Sequence, residues 1–72
     1  MVNNMSKVDS AKQAVEIANE FLKSTGVPVH LITKTEPKGD KWIVEARSIG
    51  IKFTLKIDKN TGEVTDYTST ES

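Results

Sequence analysis

The run "IKFTLKID" constrains this chain more than any other stretch. From Ile51 to Asp58, apolar and polar side chains alternate without a break. A strand turns successive side chains to opposite faces, so Ile51, Phe53, Leu55 and Ile57 form an apolar face. Lys52, Thr54, Lys56 and Asp58 form a wettable one. Such a strand needs neighbours to satisfy its backbone and a second layer to cover its apolar face.

The neighbours are legible on either side. "KWIVEARS" alternates Trp42, Val44 and Ala46 against Ile43, Glu45 and Arg47. "VPVHLITKTE" puts Val27, Val29 and Leu31 on one face and His30 and Ile32 on the other. Between these two runs, "EPKGDK" reads as a turn, with Pro37 presetting a negative φ and Gly39 taking a positive one. Ser48-Ile49-Gly50 closes a second hairpin, and "KNTG" reverses the chain after Asp58. Val64 to Tyr67 offers a short fourth strand, in which Val64 and Tyr67 both face inward only if a bulge separates them.

The cover comes from the N-terminal third. Ser10 and Gln13 have capping-box spacing, with Asp9 as an alternative cap. Ala11, Ala14, Val15, Ala18, Phe21 and Leu22 then recur at helical spacing along one stripe. Gly26 stands where a left-handed C-terminal residue belongs, and Pro28 prevents continuation. The expected fold is therefore α+β: one N-terminal helix packed on a three- to four-stranded antiparallel meander, a two-layer sandwich. Residues 1–8 read as a flexible N-terminus, 9–67 as a single domain and 68–72 as a flexible tail.

Composition narrows the chemistry. The 72 residues include no cysteine and one histidine, which excludes thiol catalysis, disulfides and an intrachain histidine cluster for metal. Ten bases balance ten acids, so neither nucleic acid nor membrane is an expected partner on net charge. "MVNNMSKVDS" has no apolar core of a signal peptide, and no apolar run approaches the roughly 20 residues of a spanning helix. A cytoplasmic location is the expectation. The sequon at Asn4-Met5-Ser6 is read as chance on the same ground.

"DKNTGE" invites comparison with a calcium loop, which needs glycine at its sixth position and a closing glutamate at its twelfth. Counted from Asp58, those positions hold Glu63 and Ser69. A hairpin turn accounts for the same residues through local bonds from Asp58 and Asn60 and a positive φ at Gly62. No phosphate loop or nucleophile motif is present, so neither catalysis, a cofactor nor a metal is expected. Trp42 and Phe53 fall on the core side, which leaves the open face without rings for bases to stack on. His30, Ile32 and Ile43 share that open face in this reading, making them candidate contacts for a protein partner or a second copy.

The segments "AKQAVEIANEFL", "KWIVEARS" and "FTLKIDKNTGEVTDY", in that order, resemble a PepSY domain over about Ala11 to Tyr67. The closest likeness is a strand ending in aspartate, a short turn and then Gly-Glu-Val. That resemblance implies a small non-catalytic module with a binding or inhibitory role toward a protein. On this reading no signal peptide, membrane anchor or attached protease is expected, which departs from that family's settings. "WIVE" followed by "FTLKID" also resembles the gas-vesicle accessory protein O family, without the aromatic, arginine-rich ending of that group. The alternative to a partner-binding module is a structural or assembly protein that self-associates as a homodimer through Ile32 and Ile43.

Overall fold

The computed structural model describes residues 8–27 and 30–71. One helix, α1 (Ala11–Ser24), precedes four strands: β1 (Leu31–Lys38), β2 (Lys41–Ser48), β3 (Ile51–Asp58) and β4 (Val64–Glu71). The strands form one antiparallel sheet in sequence order, with α1 across one face. This is the expected α+β two-layer arrangement, with four strands.

Both ends of α1 are set by local chemistry. The Gln13 amide donates to Ser10 Oγ at 3.3 Å, while the Asp9 amide donates to Gln13 Oε1 at 2.9 Å. Two donors that the helix itself leaves unpaired are thereby satisfied. Ser10→Ala is expected to lower stability by about 1 kcal/mol; a urea titration followed by circular dichroism measures it. At the other end, Gly26 takes φ 90°. Its amide bonds Lys23 O, and the Val27 amide bonds Leu22 O at 2.8 Å. This paired closure turns Val27 back onto the core.

The buried stripe of α1 runs through Ala14, Ala18 and Leu22, flanked by Ile17 and Phe21. Two alanines at the contact let the helix backbone approach the sheet closely. Opposite them lie Trp42, Val44 and Ala46 of β2 and Phe53, Leu55 and Ile57 of β3, all buried. Tyr67 completes the core from β4, its ring edge-on to Phe21 at 4.9 Å and stacked on Phe53 at 6.0 Å. The required bulge is present: register shifts between Lys56 and Ile57, and Val64 and Tyr67 both pack on the core.

Four expectations are corrected. Pro37 is inside β1, opposite Trp42, and the turn is the two-residue loop Gly39-Asp40 with Gly39 at φ 64°. In β1 the faces are exchanged: Leu31 is 68% exposed, while Ile32 packs on the core opposite Ala46. Val29, also expected inward, lies outside the described residues, as do residues 1–7, Pro28 and Ser72. Residues 68–71 are not a tail but the second half of β4, paired to β3 as far as Glu71 opposite Ile51. Finally, Val8 belongs to the core. Its side chain is buried, its amide donates to Lys59 O at 2.8 Å, and its carbonyl accepts from Trp42 Nε1 at 2.7 Å.

Candidate functional site

The three residues expected to share the open face are separated. His30 sits beside α1, with Nε2 2.6 Å from Asn19 Oδ1 and Nδ1 2.9 Å from Val27 O. It ties the start of β1 to the helix. Ile32 is on the helix side too, because a bulge between Ile32 and Lys34 inverts the alternation that the downstream part of β1 follows. Only Ile43 faces outward, in a shallow depression walled by Glu36, Lys41 and Lys56 among others. An Ile32–Ile43 patch therefore does not exist on this sheet.

Charge dominates the open face. Lys34–Glu36, Lys41–Asp58, Lys52–Glu45 and Lys56–Asp66 approach within 3.6–3.8 Å, all at least partly solvated. Pairs of this kind contribute roughly 0–1 kcal/mol each and set solubility more than stability. Phe21, Trp42, Phe53 and Tyr67 all pack on the helix side. Among the described residues, no cluster of three potential metal ligands occurs, and no helix is long and apolar enough to cross a membrane.

The turn after β3 is organised by Asp58. Its Oδ1 accepts from the amides of Asn60 at 2.7 Å and Thr61 at 3.2 Å, while Gly62, at φ 76°, donates to the Asp58 carbonyl. The Asn60 amide bond, with help from Thr61 and Lys41 and against some desolvation, holds this carboxyl below its ordinary value of 3.8. A carboxyl lowered on folding stabilises the native state above its unfolded pKa and loses that contribution as pH falls through the folded one. The urea midpoint of the wild type is thus expected to drop more than that of Asp58→Asn between about pH 5 and about pH 2. Parallel pH curves would exclude the carboxylate from this role.

The two edges of the sheet differ in kind. Gly39-Asp40 and Ile49-Gly50 are two-residue loops, so the pairs closing them are hydrogen-bonded pairs, and bonding alternates outward from there. On β1 this aims the backbone of Thr35 and Pro37 away from the sheet. Proline has no N–H, which leaves Thr35 as the one outward donor between the bulge and the turn. Lys34, Glu36 and Lys38 add charge along the same edge. Bulge, proline and charge are the devices that blunt an edge strand. On β4 the same count aims Tyr67, Ser69 and Glu71 outward. All three carry an N–H, and from Asp66 to Glu71 pairing with β3 runs without a bulge, proline or lysine. Sequence reasoning missed this edge by assigning residues 68–72 to a tail; the signal was the β-favouring content of "VTDYTST".

Comparison with family models, with curated proteins and with solved structures gave no match for this chain.

Proposed function

We propose that this chain is a non-catalytic protein-interaction module that recruits an extended segment of a partner protein to the outer edge of β4. The carrying observation is the asymmetry of the sheet: β1 is blunted, while β4 offers Tyr67, Ser69 and Glu71 as successive outward donor–acceptor pairs. Strand addition takes its affinity from such main-chain bonds and its selectivity from alternate side chains. The likeness to PepSY domains supports the same class of role.

Ser69→Pro tests the reading. It installs on β4 the device that β1 already carries, at a position whose N–H does not serve the β3–β4 ladder. The far-ultraviolet spectrum is expected to be unchanged. Immobilised wild type and variant are then compared as baits against the same extract, and a protein retained by the first is expected to be lost by the second. Equal retention by both would refute recruitment at this edge. A concentration-dependent dimer in light scattering, lost in Ser69→Pro, would identify the partner strand as a second copy.

A further inference from the structure

The exposed large apolar side chains among the described residues are Leu31, Ile49 and Ile51, at 68%, 94% and 37% exposure. All three fall at one end of the sheet. Ile49 is the first residue of the two-residue loop between Ser48 and Ile51, and Leu31 pairs with Arg47 two residues before that loop. A β-branched residue is a poor choice for a turn, where polar residues that bond the backbone are favoured. At 94% exposure, Ile49 contributes nothing to the core. Fold stability accounts for none of its features.

Two cations stand beside this tip on the open face. The terminal row reads Leu31, Arg47, Lys52, Thr70 across the four strands, so Arg47 and Lys52 stand directly opposite each other. Like charges so placed repel, and a bound anion relieves them. Lys52 has Glu45 at 3.6 Å, whereas Arg47 has no ion pair among the described residues. Among the described residues, Glu71 lies opposite Ile51 at this end. Apolar side chains projecting beyond a pair of adjacent bases match an interface with hydrocarbon below and phosphate at the rim. We infer that the Ile49-Gly50 hairpin tip docks on anionic lipid, with Ile49 and Leu31 entering the interface and Arg47 and Lys52 meeting the headgroups. The overall balance of charge conceals this, because the bases are gathered here only by strand pairing.

Co-sedimentation with vesicles of phosphatidylcholine, alone or in an equimolar mixture with phosphatidylglycerol, tests the inference. The wild type is expected to bind the mixed vesicles, less as salt is raised, and to leave the neutral ones unbound. Ile49→Asn is expected to reduce binding by about tenfold or more. Its melting temperature should be equal or higher, since asparagine suits a turn better. Arg47→Gln is expected to reduce binding by about fivefold, and Glu71→Gln to strengthen it. Absence of wild-type binding, binding indifferent to Ile49→Asn, or equal binding to neutral vesicles would each overturn the proposal. So would self-association in light scattering that Ile49→Asn abolishes, which would make the tip an interface between copies.

Discussion

Substituting Trp42 by alanine is expected to lower the free energy of unfolding by about 3–5 kcal/mol, a large part of what a chain this short holds. At the usual ~0.05–0.15 kcal/mol per residue, a domain of this length has roughly 4–11 kcal/mol in total. The indole serves three neighbours. It fills the core under α1, donates Nε1–H to Val8 O at 2.7 Å, and lies 5.3 Å beneath the Lys59 ammonium. Trp42→Phe separates these roles. It keeps most of the ring area and removes the donor, leaving a buried carbonyl unpaired at a cost of about 1–3 kcal/mol. In that variant the Val8 amide, which bonds Lys59 O, is expected to exchange with deuterium faster than amides of β2 and β3. Uniform acceleration across the sheet would mean that Val8 is not a separate latch.

Leucine-to-alanine changes at two positions carry the other large contrast. Leu55 is fully buried on β3, between Val44 and Tyr67 in register. Its truncation should cost about 2–5 kcal/mol, the higher end applying if the close-packed site cannot collapse. Leu31→Ala should stay within about 0.5 kcal/mol of the wild type, as surface substitutions do. Denaturant midpoints for the two variants decide the facing of β1 directly. Comparable losses would restore the alternation that places Leu31 inward.

How much of this could be read beforehand depended on how much of each signal is local. Ser10, Gln13 and Gly26 act within a turn of themselves, so the limits of α1 were visible as spacing. The faces of β2 and β3 were equally plain, because a side-chain period of two needs no knowledge of the partner strand. Asp58 and Gly62 shaped their turn through bonds within five residues. The candidate site failed at its weakest link. His30 and Ile32 were placed by carrying alternation through β1, and the bulge at Ile32 and Lys34 is made by pairing with β2, which the local pattern does not encode.

The same division separates what the sequence by itself determined from what tertiary structure decided. Periodicity, caps and turn residues determined one helix, an antiparallel meander and which face of β2 and β3 is covered, since each follows from the geometry of one short segment. Only packing decided that Val8 is core, because its burial requires Trp42 and Lys59 to meet from distant parts of the chain. Only pairing decided that residues 68–71 are a strand, their hydroxyl side chains being compatible with a tail until β3 supplies the ladder. The gathering of Leu31, Arg47, Ile49 and Lys52 at one end is of the same kind. Register is a relation between strands, and it is register that turns scattered residues into a surface.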